Sequence, residues 1–333
     1  MSATVGTVDE ARRPTDALVT WARRNGWTLS LVAILAALLV FTKLINQSYG
    51  SAGIQGLAIS VMPLAFAAAA QAVCVIGGGI DLSIGSIMAL TSVVAASQMK
   101  GQSEEVGVVI VLAVLLLGLV LGAINGGVIV VTKVPDIVVT LAMAFVWGGA
   151  ALLVLKTPGG GSAQWLKDLV LGPFGVDWIP RAAVVMLVVA TAIWIPLRRS
   201  KLGLSIYAIG SNQLAAFRSG VSVGRTKIIA YAFTGLFAAF AGLSLTASTG
   251  IGNPVPGPYT LMSVAAVVLG GVSLAGGRGG LFGPILGVLI LVLIQNDLAF
   301  LSLDPNLALV SQGLILIGVV MFGSLIQWRR NRR

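Results

Sequence analysis

Apolar runs of membrane-spanning length recur along this chain, and no water-soluble fold can bury so many. A transmembrane helix needs about 20 mostly apolar residues. Ten stretches meet or approach that length: 29–46, 53–76, 84–99, 106–126, 137–155, 181–197, 228–248, 260–275, 281–296 and 307–327. The chain is 57% hydrophobic and 10% charged, against about 25% charged for a soluble domain. Lipid must solvate most of it. The expected fold class is an all-α integral membrane protein of about ten transmembrane helices.

The few charges give an orientation. Cytoplasmic loops of membrane proteins carry an excess of Lys and Arg. With the N-terminus inside, 16 of the 21 basic residues fall on the cytoplasmic side: the N-terminal segment, Lys133, the loop 198–227, Arg278 and the final residues. Only Lys43, Lys100, Lys156, Lys167 and Arg181 fall outside. Both termini are therefore expected in the cytoplasm. The domain reading is a polar cytoplasmic tail at 1–28, a transmembrane domain at 29–327 and a basic tail at 328–333. The apolar run after the tail lacks a convincing Ala-x-Ala cleavage site and reads as a retained span. The net charge of +10 is confined to loops and ends, so it points to topology and not to nucleic acid. Lipid is the surrounding partner.

The stretch 198–227 is the longest interior segment that cannot sit in lipid. It holds six basic residues and no acid. Within it, Asn212 to Gly220 reads as a short helix. Ser211 or Asn212 can cap its start, Leu214, Ala215, Ala216 and Phe217 form its body, and Gly220 can end it. A short helix outside the lipid, with an apolar face and a basic rim that includes Arg218, is suited to docking on another protein. On the outer side, the loop 156–180 holds a Gly-rich turn and an amphipathic piece from Ala163 to Val170. Trp165 and Trp178 are expected to anchor it at the interface.

Glycine interrupts the apolar pattern twice. The stretch 75–86 holds Gly77, Gly78, Gly79 and Gly85; the stretch 268–283 holds Gly270, Gly271, Gly276, Gly277, Gly279 and Gly283. Both turn on the cytoplasmic side. Their similarity reads either as an internal repeat or as chance. Asp81, with Ser83, is expected to cap the third span at its positive end; a direct substrate or proton role is the sharper alternative. Glycines spaced by four, at 118, 122 and 126 and again at 279, 283 and 287, should pack helices closely, within the subunit or between subunits.

Several chemistries are excluded or disfavoured. There is no histidine and one cysteine, Cys74, which rules out an internal disulfide, a His/Cys zinc site and histidine acid–base catalysis. Gly220-Val-Ser-Val-Gly224 matches a nucleophile elbow but has no triad partner. No G-x-x-x-x-G-K-[ST] loop occurs, so any ATP is hydrolysed by a partner. No metal site or cofactor is expected in this chain. Asp81 and Asp136 are the only candidate intramembrane carboxylates, which disfavours proton coupling; sodium held by backbone carbonyls stays open. Ser60, Asn125 and Gln295 read as helix–helix hydrogen-bonding residues.

Four segments carry a family resemblance: GGGIDLSIGSIMALTSVVAA (77–96), KVPDIVVTLAMAFVWGGAALLV (133–154), GLSIYAIGSNQLAAFRSGVSVGRTKIIAYAFTGLFAAFAGL (203–243) and AAVVLGGVSLAGGRGGLFGPILGVLIL (265–291). Together they resemble the inner-membrane permease of ribose-type sugar ABC importers, a family that includes autoinducer-2 permeases. The resemblance implies an ABC importer permease fold and no covalent chemistry. It implies three protein partners: a second permease subunit, a cytoplasmic sugar ATPase that binds ATP and Mg, and a periplasmic or lipid-anchored sugar-binding protein. The family's coupling helix falls on Asn212 to Gly220, with Ala215, Ala216 and Arg218 at the contact.

The chain departs from the family at Tyr259-Thr260-Leu261-Met262. There the family commonly carries Tyr-Glu-Leu-Asp, so Thr260 and Met262 replace two carboxylates. A heterodimer with a chain that keeps them is then an alternative to a homodimer. A secondary transporter, a channel and a purely structural subunit are the other readings.

Overall fold

The computed structural model describes residues 26–302 and six further positions between 310 and 321. The tails at 1–25 and 322–333, and most of the tenth candidate span, lie outside the described residues. Twelve helices and one small hairpin follow in order: α1 (Gly26–Ile45), α2 (Ser51–Ile76), α3 (Ile84–Met99), α4 (Glu104–Thr132), α5 (Asp136–Val154), α6 (Gln164–Val170), β1 (Pro173–Phe174), β2 (Val176–Pro180), α7 (Arg181–Arg199), α8 (Lys201–Ser211), α9 (Gln213–Arg218), α10 (Val223–Thr249), α11 (Tyr259–Leu269) and α12 (Phe282–Phe300).

Seven of these, α1, α2, α4, α5, α7, α10 and α12, are long and apolar enough to cross a membrane. They make this a multi-pass membrane protein. α2 is the central post, with 18 of its 26 residues buried, and α10 follows with 15 of 27. The reason is compositional: Ala65, Ala67–Ala70 and Ala72 leave room for neighbours on every side. Phe66 stacks on Phe240 with centroids 5.5 Å apart, joining the two posts. α1, α4, α5 and α7 are mostly exposed and form the outer wall.

Two corrections to the spans follow. The eighth candidate, 260–275, is helical only to Leu269. Eleven residues rise about 17 Å, short of a hydrocarbon core of about 30 Å. α3 is also short, and it starts inside the bundle. Ser83, its N-cap, accepts a 2.7 Å hydrogen bond from Asn125, seven residues up α4 from Thr132. That depth is about 10 Å. The starts of α3 and α11 meet there: the Gly85 N–H donates to Thr260 Oγ1 at 3.0 Å.

The glycine seam lies within the chain. α4 packs on α10 so closely that a methyl at Gly122 would fall 2.1 Å from the Tyr231 carbonyl, and one at Gly118 2.5 Å from that of Gly235. Gly283 and Gly287 play the same part between α12 and α11. Gly279 does not: it sits in the preceding loop at φ +133°, so the second spaced-glycine face is one residue shorter than expected.

At the end opposite α9, the 156–180 segment forms a cap. Trp165 is fixed by its indole N–H to the Glu104 carbonyl at 3.1 Å, while Trp178 is exposed. The antiparallel β1–β2 pair, which hydropathy does not reveal, turns at Gly175 and is held by Arg181 donating to the Pro173 carbonyl.

Candidate functional site

The basic loop folds into two helices where one was expected. Ser200 caps α8, its Oγ accepting from the Gly203 N–H at 3.1 Å. Asn212, and not Ser211, caps α9 through Oδ1 and the Ala215 N–H at 2.9 Å. Gly220, at φ +85°, follows the helix end in the left-handed conformation that glycine adopts without strain. The missed α8 had a signal: Ser200 followed by Leu202, Ile206 and Ile209 at helical spacing.

Among the described residues, nothing covers the apolar face of α9. Leu214 and Phe217, three apart and so on one side, are 59% and 66% exposed. Ala215 and Arg218 are exposed beside them. Ala216 is not available for contact: it is 5% exposed, because α9 rests on the protein through that methyl.

Behind α9 the two glycine-rich turns meet, with the end of α8 between them. The Gly277 N–H donates to the Ile76 carbonyl at 2.9 Å. A methyl on Gly210 would fall 1.9 Å from that carbonyl and 2.6 Å from the Gly277 nitrogen. Gly78 and Gly276 close on the Gly210 backbone from either side. Three of these participants, Gly78, Gly276 and Gly277, belong to the glycine-rich stretches legible in the sequence; Gly210, the one at the centre, does not. Tyr207 adds a bond from its hydroxyl to the Gly279 carbonyl at 2.7 Å. Burial raises that phenol above its usual range, opposed by Arg198, so it stays a donor. The remaining glycines pack locally. Gly77 lies near Ile206, Gly79 against Asp136 and Tyr231, Gly271 against Trp27, and Gly270 backbone-to-backbone against Gly283.

Of the two candidate ion-coupling carboxylates, Asp136 is held through both oxygens and Asp81 through Oδ1 alone, its buried Oδ2 having no partner among the described residues. Asp136, the first residue of α5, pairs with Lys227 at 3.1 Å and accepts from the Tyr231 hydroxyl at 3.1 Å. Asp81 accepts from the Ser83 N–H at 2.8 Å and from its hydroxyl at 2.6 Å. Ser83 in turn accepts from Asn125, whose side-chain oxygen accepts from the Trp147 indole at 3.0 Å. Asn125 thus bonds between helices, as expected.

Gln295 also bonds between helices, its amide nitrogen donating to the Met262 sulfur on α11 at 3.6 Å, whereas Ser60 bonds within α2, to the Gly56 carbonyl. Both line a cavity of about 520 Å³ between α2, α10, α11 and α12. Its polar wall is Ser60, Ser248, Thr249, Tyr259, Gln295 and Asn296; Leu64, Met262 and Val292 are among its apolar residues. Ser60, Thr249 and Asn296 all lie toward the helix ends remote from α9, so the cavity belongs to the opposite half of the molecule. None of its described lining residues is acidic or basic. Such a volume and mixed lining are those of a small-molecule site.

Comparison with known proteins agrees with this architecture. Residues 53–320 match the family profile described as the branched-chain amino acid transport system / permease component. The chain is 32% identical over 297 residues to the ribose import permease protein RbsC of Escherichia coli K12, covering 88% of this chain and 92% of the relative. It is 34% identical over 259 residues to RbsC of Bacillus subtilis 168, covering 74% and 77%. To the autoinducer 2 import system permease protein LsrD of Yersinia enterocolitica it is 29% identical over 341 residues, covering 93% and 98%. No solved structure matches. With its glycine-seamed posts, the chain belongs to the permease family of the branched-chain amino acid transport systems.

Proposed function

We infer that this chain is the transmembrane permease subunit of an ATP-driven ABC importer. It moves a monosaccharide or a related small polar solute across the bacterial inner membrane. The observation that carries the reading is the apolar face of α9. Leu214 and Phe217 stand exposed on a short, capped helix that is rigidly backed by the protein. A surface of this kind is suited to docking, and the basic residues around it favour the cytoplasmic side. The names of the similar proteins, import permeases for ribose and autoinducer 2, support the same class of task.

The mechanism follows from what α9 touches. A partner ATPase binds ATP and Mg and closes, displacing α9. The helix transmits the push because its two ends are fixed, by α8 to α7 and by Val221 to Ser222 to α10. Gly210 passes the motion to both glycine-rich turns at once. Those turns lead into α3 and out of α11, the two short helices whose starts meet at Thr260 and Gly85. Their rearrangement shuts the outward cavity and opens a path inward. A binding protein loads the cavity from outside, and a second permease subunit completes the assembly. Thr260 and Met262 leave this half without the family's usual carboxylates, which favours pairing with a different chain.

The test is uptake in proteoliposomes holding this chain, a sugar-type ATPase inside and a binding protein outside. Uptake that needs all three, and internal ATP, is expected. Uptake by the chain alone overturns the reading in favour of a channel or secondary transporter. If the full set is silent, a second permease chain is added, and silence of that four-protein system also overturns it.

A further inference from the structure

The three serine and threonine hydroxyls on the cavity wall have already spent their protons. Ser60 donates to the Gly56 carbonyl at 3.0 Å, Ser248 to that of Leu245 at 3.0 Å, and Thr249 to that of Leu245 at 2.7 Å. A serine or threonine hydroxyl has one proton to give and two lone pairs to receive with. What these three keep for the cavity is acceptor capacity. Pro63, also in the wall, has no N–H to offer the Ile59 carbonyl one turn back. Irregular backbone polarity of this kind is tolerated at membrane depth where it lines a wet cavity. The amide nitrogen of Gln295 lies 3.6 Å from the Met262 sulfur, which turns the amide oxygen the other way.

We propose that Ser60, Ser248, Thr249 and Gln295 form a solute-binding arc in the membrane that accepts hydrogen bonds from an uncharged, hydroxyl-rich solute. The assignment rests on the importer reading and goes beyond it by naming the contacts. Every hydroxyl of such a solute brings the proton that the arc lacks. A phosphorylated or carboxylated solute brings acceptors to this arc of acceptors; the Tyr259 hydroxyl and the Asn296 amide are neutral donors beside it, and no described cation in that wall offsets the charge. An ammonium solute brings donors, but burying its charge without a carboxylate partner is costly. Met262 has a defined part. It orients Gln295 and keeps the wall neutral, so it acts as a positioning residue through that side chain.

The experiment uses the full complex in right-side-out vesicles, with single cysteines at Ser60→Cys, Ser248→Cys and Gln295→Cys and a membrane-impermeant thiol reagent. The native Cys74 is buried and serves as the unreactive control. All three positions are expected to label. A panel of neutral pentoses, hexoses and polyols is expected to contain at least one member that slows labelling threefold or more. D-ribose 5-phosphate is expected not to. Absence of labelling overturns the proposal, because the cavity is then not open to water. Labelling that no neutral solute slows overturns the solute contact, and equal protection by the phosphate overturns the selectivity. For Met262, Met262→Leu keeps the apolar bulk but removes the sulfur acceptor, and is expected to raise KM for the neutral solute at least threefold with little change in kcat; an unchanged KM, or an equal loss in both, overturns the positioning role. ATP dependence of uptake is read in the same vesicles. Failed protection with ATP-driven uptake intact removes only the arc, whereas uptake without ATPase removes the importer reading itself.

Discussion

Adjacent residues on α9 face opposite fates. Phe217 and Ala216 both look apolar in sequence, yet one is exposed and the other buried. Phe217→Asp is expected to leave the thermal midpoint of the detergent-purified subunit unchanged and to weaken ATPase association at least tenfold, about 1.4 kcal/mol. Ala216→Asp is expected to lower the midpoint as well, since a buried unpaired charge disrupts the packing beneath the helix. Pull-down of the ATPase together with a melting curve separates the two. The Asp136–Lys227 pair gives a second contrast. Its side chains are 14% and 18% exposed, so removing either partner should cost about 2–3 kcal/mol, below the range for a fully buried pair. Lys227→Met with Asp136→Asn is expected to melt above either single variant, because neither charge is then stranded. Equal or additive losses in the double variant would show that the pair contributes nothing as a pair.

At the scale of elements, what the sequence made legible followed from hydropathy and capping. The bounds of α1, α2, α3, α5 and α7 fell within a few residues of the apolar runs. The glycine spacing at 118, 122 and 126 announced a close helix contact, and the cap at Asn212 announced α9. Hydropathy failed where apolar residues are not helical. Val272 and Leu274 extended the eighth candidate past Leu269, although Gly270 and Gly271 turn the chain there. It also failed for the cavity. Ser60 and Gln295 are polar residues on apolar helices, and only the packing of four helices shows that both line a cavity, Gln295 while also bonding to Met262 across helices. Gly210 was hidden for a related reason: one glycine inside an amphipathic helix carries no pattern. Gly210→Ala is expected to abolish coupled uptake. No methyl fits 1.9 Å from a carbonyl oxygen, and overpacking costs about 1–3 kcal/mol even where the surroundings yield. Gly220→Asn is expected to be tolerated, since nothing lies within 4 Å of it and Asn adopts the left-handed conformation. Uptake by the two variants in one vesicle preparation checks both.

The molecule as a whole separates its two tasks by position. The exposed apolar residues of α9 stand at one end, the cavity lies in the opposite half, and a glycine junction lies between them. The charged groups follow the same division. The Asp136–Lys227 pair sits at the α9 end as a neutral unit, and no described residue of the cavity wall is acidic or basic. A charge carried across the membrane field gains or loses about 2.3 kcal/mol per 100 mV. A wall without ionised groups, closing around an uncharged cargo, carries none. Clamping vesicles at different potassium diffusion potentials is therefore expected to leave the initial uptake rate unchanged at fixed ATP, and a steep dependence would place a moving charge in the cavity. The cell's electrical gradient thus has nothing to pull on: a bacterium that has lost its membrane voltage but still holds ATP keeps this route open.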